Sequence, residues 1–196
     1  MIDGFVPATA VRRVVSALAL LFVGAGPVLA RKKLEIPDPP SLDQSYTHRG
    51  RFTFKVPASW KISDKVNRDP DAVQAVGEGL VVRFIYRDRE AGYDALHGIC
   101  LAERLIGREG DAAPAIYEYD YVEGSYGDRR SLDSAFLVEY GREILGHRRW
   151  RQRNLTVVGG GHSLCLVAFV PASVWKKSGE ARAVVEAVLQ NVKFQE

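Results

Sequence analysis

The sequence predicts an α+β fold, an antiparallel sheet flanked by helices. Three observations carry that expectation. Short strand-like runs follow one another across glycine-marked turns, the arrangement that pairs neighbouring strands antiparallel. The run Ser163 to Val170 is apolar on both alternations, Leu164, Leu166 and Ala168 against Cys165, Val167 and Phe169, so both faces of its sheet are expected to be covered. Two amphipathic stretches, about 92–106 and the segment following Ser178, supply helices to cover them.

Residues 1–30 read as an export signal. Arg12 and Arg13 precede an uncharged apolar run, 14–26, and Val28-Leu29-Ala30 offers the small residues a signal peptidase reads. The run is shorter than the ~20 residues that span a bilayer, so no stable transmembrane anchor is expected after processing. Residues 31–49 hold Pro37, Pro39 and Pro40 among polar neighbours and read as an extended tether. Residues 50–196 then form a single domain.

Within it, Phe52, Phe54 and Val56 alternate with polar residues as a half-buried strand does, and Pro57 closes the run. Ala72 to Val76, the turn Gly77-Glu78-Gly79 and Leu80 to Arg87 make a hairpin. Val82, Phe84 and Tyr86 share one side of its second strand. The helix at 92–106 places Tyr93, Leu96, Ile99 and Cys100 on one face and is closed by Gly107. A strand at 115–122 projects Tyr117, Tyr119 and Tyr121 one way, and 124–128 turns the chain. Strands at 136–140 and 147–158 follow, and Gly159-Gly160-Gly161 leads into 163–170. The last helix carries Ala181, Val184, Val185, Val188 and Leu189 on one stripe with Ser178 as N-cap, and Val192 to Phe194 pairs briefly. FKVPASW (54–60) and FVPASVW (169–175) echo one another, but no shared period continues around them, so they are two strand exits through proline, each followed by a tryptophan packed over the sheet end.

In order, GRFTFKVPASW, the helix GYDALHGICLAERLIG, the strand YEYDY and the ending LVAFVPASVW…VVEAVLQNVKF resemble the PsbP-like family, over about residues 49–195. That family shares its fold with the Ran-binding accessory factor of nuclear import. The resemblance implies an α/β/α sandwich and a non-catalytic adaptor or assembly role. It carries over no metal- or partner-contacting residue and no photosynthetic role.

Without residues 1–30 the chain holds 25 basic and 23 acidic residues, too even a balance for a nucleic-acid protein. No phosphate loop, dinucleotide fingerprint, zinc-protease motif or nucleophile elbow is present, and no cofactor or metal is expected. Cys100 and Cys165 are either a disulfide or two buried thiols. His97, three residues before Cys100, and His162, beside the triple glycine, are the residues a thiol-dependent or hydrolytic enzyme would use. Glu118, Asp120 and Glu123 are weak calcium candidates, lacking the loop-borne oxygens calcium prefers.

The most distinctive stretch is HRRWRQR, 147–153. On a strand, His147, Arg149, Arg151 and Arg153 share one face, with Trp150 on the other beside Arg148. Guanidinium groups near an indole suit an anionic partner, and equally a charged strand edge that deters aggregation. The function expected is an exported, non-catalytic binding or assembly accessory of the periplasm or extracellular space, whose partner is a protein or an anionic envelope component. Two alternatives stand beside it. One is a thiol-dependent or hydrolytic enzyme; the other is a structural protein held electrostatically to the envelope.

Overall fold

The computed structural model of the chain describes residues 36–38, 40–64, 66, 69–103, 105 and 114–195, without the side chains of Tyr93, His97, Leu101 and Ala102. The export signal at 1–30, part of the tether, Gly107 and the His97 side chain lie outside the described residues. Among the described residues, ten strands and three helices follow in order: β1 (Gln44–His48), β2 (Phe52–Val56), β3 (Lys61–Ser63), β4 (Ala72–Gly77), β5 (Leu80–Arg87), α1 (Tyr93–Ala102), β6 (Ala115–Tyr126), β7 (Arg129–Ile144), β8 (His147–Gly159), β9 (His162–Pro171), α2 (Ala172–Lys177), α3 (Gly179–Leu189) and β10 (Lys193–Phe194).

The strands form two antiparallel sheets, a small one ordered β1-β2-β10 and a large one ordered β3-β4-β5-β9-β8-β7-β6. Central β9 is buried on both faces, as its two apolar alternations require. Leu164, Leu166, Ala168 and Val170 meet the small sheet and α3; Cys165, Val167 and Phe169 meet the side covered by α1. Phe52 and Phe54 of β2 reach Phe84 of β5, with Phe54 and Phe84 ring centroids 4.0 Å apart. Each fully buried aromatic of this kind stabilises the fold by about 1.5–3 kcal/mol.

The α/β/α sandwich implied by the resemblance holds only in its coarse form. The architecture is mostly antiparallel sheet, with helices of 10, 6 and 11 residues. On one face much of the cover is the small sheet, so β2 and α3 share the work assigned to helices alone. One strand of this small sheet comes from residues expected in the tether, since Gln44–His48 is β1, paired with β2. Its alternating intermediate and exposed side chains explain why no apolar signal marks it.

The α3 stripe docks as its spacing predicts, and Ser178 Oγ accepts from Ala181 N at 3.1 Å as N-cap. The two tryptophans of the echo both pack on the β2–α3 core, Trp60 buried and Trp175 partly so. Gly77 is required there, because a Cβ on it would sit 2.2 Å from the Trp60 ring. Gly160 and Gly161 both have positive φ and form the two-residue turn between β8 and β9.

A disulfide joins Cys100 of α1 to Cys165 of β9, with Cα atoms 6.1 Å apart. Around it the face of the sheet under α1 is partly polar. Gln152 Nε2 donates to the Cys100 carbonyl at 3.0 Å and to Asn154 Oδ1 at 3.2 Å, and Thr156 Oγ1 lies 3.4 Å from Cys100 Sγ. Buried side chains of this type stay folded inward only because each finds a partner.

Candidate functional site

The strand β8 alternates as expected, and pairing in register assigns its two faces. Trp150 lies across from Val138 of β7 and is fully buried on the α1 side, with its Nε1 donating to the His147 carbonyl at 3.2 Å. It therefore does not belong to an exposed guanidinium–indole surface; it anchors the strand from behind. His147 is half-buried and meets Trp150 edge-on at 5.7 Å.

The three arginines stand on the other face, each bound to a carboxylate. Arg149, 63% exposed at its side chain, donates from Nε to Glu139 Oε2 of β7 at 2.9 Å. Arg151, 21% exposed, donates to Glu118 Oε2 of β6 at 3.2 Å. Arg153, 14% exposed, bridges three elements: it donates to both oxygens of Asp133 on β7 and to both oxygens of Glu186 on α3, with Nε to Glu186 Oε1 at 3.0 Å. Burial by itself would lower the Arg153 pKa, but the hydrogen bonds it donates to Asp133 and Glu186 outweigh this and raise it. The stripe is thus graded, from a clamp holding α3 at Arg153 to an outward-facing cation at Arg149. The carboxylate partners were not anticipated. Their signal was the alternation in β7, which places Asp133 and Glu139 among its outward residues.

Beside the stripe, β6 ends the large sheet. It is exposed from Ala115 to Ser125, and Ile116, Tyr117, Tyr119, Tyr121 and Val122 are all about half exposed or more. The three tyrosines do not share a face. The register with β7 shifts between Tyr117 and Asp120, where Glu118 takes φ 52°. Such a bulge inserts one extra residue and reverses the facing of everything beyond it. Tyr117 therefore pairs with Leu137 on the arginine face, and Tyr121 with Ser134 on the α1 face. The Tyr119 ring lies tilted to Tyr121 at 5.6 Å and to Phe136 at 6.2 Å between centroids, and burial raises its pKa.

The remaining sequence candidates fall elsewhere. Cys100 is fully buried in its disulfide, so the nucleophilic thiol of the enzyme alternative is not present in this structure. His162 fastens the β8–β9 turn to the end of β5, with Nδ1 2.7 Å from the Tyr86 hydroxyl and 3.1 Å from Asp88 Oδ1. Burial raises the Tyr86 pKa, and Asp88 adds to it. Among the described residues no three His, Cys, Asp or Glu side chains come together to hold a metal ion; Asp120 and Glu123 pair onto opposite faces of β6. A hollow of about 220 Å³ between the β6–β7 turn and the C-terminal segment is lined by Tyr126, Gly127, Asp128, Arg129, Val192 and Phe194. It is smaller than the ~300 Å³ at which small-molecule sites begin. No helix among the described residues is long and apolar enough to cross a membrane.

The two-sheet antiparallel architecture defines a class by fold, the PsbP-like fold. Superposition places the chain there. The solution structure of cyanobacterial PsbP (CyanoP) from Synechocystis sp. PCC 6803 matches with a TM-score of 0.52 and 12% identity, over 86% of this chain and 99% of that one. The Ran-binding protein Mog1p of Saccharomyces cerevisiae matches with a TM-score of 0.48 and 9% identity, over 80% and 97%. The resemblance drawn from the sequence is thus present as a loose likeness of fold. No family profile and no curated protein sequence matches the chain.

Proposed function

We propose that the chain is an exported, non-catalytic binding or assembly accessory protein of the cell envelope, working through the sheet end formed by β6, β7 and β8. The observation that carries this reading is the exposure of five large apolar or aromatic side chains along β6. Contiguous exposed apolar surface rimmed by charge marks interaction sites more often than accident. The fold shared with cyanobacterial PsbP supports a binding role by analogy alone. Export rests on the signal-like segment 1–30, and the Cys100–Cys165 disulfide suits an oxidising compartment.

The arginine stripe belongs to this surface in a graded way. Arg149 is the contact for a carboxylate or phosphate on the partner, Arg151 flanks it, and Arg153, His147 and Trp150 position the strand. Arg149 and Arg151 can be replaced without breaking the α3 clamp. The test is capture from envelope extract of the source organism with the C-terminally tagged full chain, beside Arg149→Gln/Arg151→Gln, with anionic vesicles as a second bait target. One stoichiometric protein, lost in the variant, supports the reading. Enrichment of vesicles alone, or recovery unchanged by the variant, refutes it at these residues.

A further inference from the structure

The unusual feature of this surface is the strand β6 itself. The large sheet has two edges, and the other, β3, is only three residues long. By contrast β6 runs for twelve residues, pairs among the described residues only with β7, and is exposed along eleven of them, as the outer edge of the sheet. Natural proteins keep such edges short or heavily charged, because an open edge is a template for another strand.

The charges on β6 select what that strand would be. Glu118, Asp120 and Glu123 are all acidic, and the strand contains no Lys or Arg. Glu118 is engaged by Arg151, whereas Asp120 and Glu123 are exposed and look out from opposite faces. Each face also carries apolar surface: Tyr117 and Val122 with Asp120, and Ile116, Tyr119 and Tyr121 with Glu123. A second copy of the chain is a poor occupant. Antiparallel self-pairing centred on Asp120 or on Glu123 would set a carboxylate against its own copy, and like charges across a strand pair are destabilising. The bulge at Glu118 further breaks a straight self-complementary edge, leaving 120–126 as the continuous run. An incoming strand with Lys or Arg on both faces meets a carboxylate on each side and tyrosine rings that attract cations.

We propose that Asp120–Tyr126 of β6 is a docking strand for a basic, extended segment of another protein, which adds to the sheet edge by main-chain pairing. This rests on the reading of the sheet end as the binding surface, and it names the chemistry of what binds there. The acids and the bulge disfavour pairing of identical chains while leaving the edge open to a basic one. That differs from simple protection of an edge, which does not call for five exposed large apolar side chains on the same strand.

The test uses the full chain and a capped peptide of about ten residues built of Lys-Lys-Val-Val repeats, which places Lys on both faces of a strand, beside its Glu-for-Lys counterpart. Hydrogen exchange read residue by residue should show slowed amides within 120–126, with the Lys peptide binding about tenfold tighter than the Glu peptide. Asp120→Lys/Glu123→Lys, both at exposed positions, should reverse that preference. Equal binding of the two peptides, protection elsewhere than β6, or no protection at millimolar Lys peptide overturns the proposal. So does concentration-dependent protection of β6 without peptide, which would show a second copy on the edge. If envelope capture through Arg149 and Arg151 succeeds while the peptide leaves β6 unprotected, the strand-addition proposal falls and the accessory reading stands.

Discussion

Reduction of the Cys100–Cys165 disulfide should cost the fold about 4 kcal/mol. The two residues are 65 apart in sequence, and the chain-entropy relation for a closed loop of that length gives about 4 kcal/mol at 25 °C. With a urea slope of about 2 kcal/mol per molar, the unfolding midpoint should fall by about 2 M. The cleanest comparison is the oxidised against the reduced chain, which differ by no buried carbon. Cys100→Ala/Cys165→Ala should fall at least as far, since it also removes two buried sulfurs. The loss should be uneven. Besides the disulfide, α1 is held by Leu96 and by Gln152 to the Cys100 carbonyl, over a partly polar sheet face. Its amides should therefore exchange faster on reduction than those of β9, which is paired on both sides. A midpoint shift under about 0.5 M, with α1 as protected as before, would show that the packing of α1 and not the covalent link restrains that segment, and would refute the reasoning.

Three further outcomes follow from particular residues. Leu145 stands at φ 50° in the β7–β8 turn with its side chain 64% exposed, so Leu145→Asn should raise stability by about 1 kcal/mol in urea unfolding; a loss would mean the leucine packs in solution. Arg153→Met should cost about 2 kcal/mol and loosen α3 in hydrogen exchange, while Arg149→Gln should change the midpoint little, because its ion pair is exposed. Burial lowers the His48 pKa, with Arg49 adding to it and the Pro70 carbonyl, Asp71 and Asp64 opposing. The unfolded chain then takes up the proton first, so stability present above about pH 6.5 should be lost as pH falls through the lowered folded value. His48→Phe should flatten the urea midpoint between pH 7.5 and about 5.5 if this is right, and an unchanged slope would place the titration elsewhere.

Strands whose burial follows a simple period were legible. The pattern of Phe52, Phe54 and Val56, the double apolar alternation of β9 and the stripe of α3 each met the partner their spacing demands. Other elements carry little burial of their own. Neither β1 nor β3 has a consecutive apolar signal, and α2 buries no residue completely, so their existence depends on tertiary pairing that no local pattern reports. The expected strand 136–140 is the middle of β7, Arg129–Ile144, whose outer parts carry no regular apolar alternation to mark them.

The candidate surface was half legible for a related reason. An arginine-rich strand announces cations, but exposure of a cation depends on which carboxylates lie across from it, and that is a matter of register. Glu139, Glu118, Asp133 and Glu186 come from three different elements, and only the antiparallel pairing of β6, β7 and β8 and the docking of α3 bring them to Arg149, Arg151 and Arg153. The same holds for the tyrosines. Strict alternation puts Tyr117, Tyr119 and Tyr121 together, and one bulged residue sends Tyr121 to the opposite face. A bulge of this kind leaves no sequence mark when the residue in the left-handed region is glutamate and not glycine. What it produces is an edge with aromatic groups on both faces in place of one, beside acids that already lie on both, which is why a partner strand of basic character, and not an anionic ligand at the arginines alone, is the more demanding hypothesis to put to experiment.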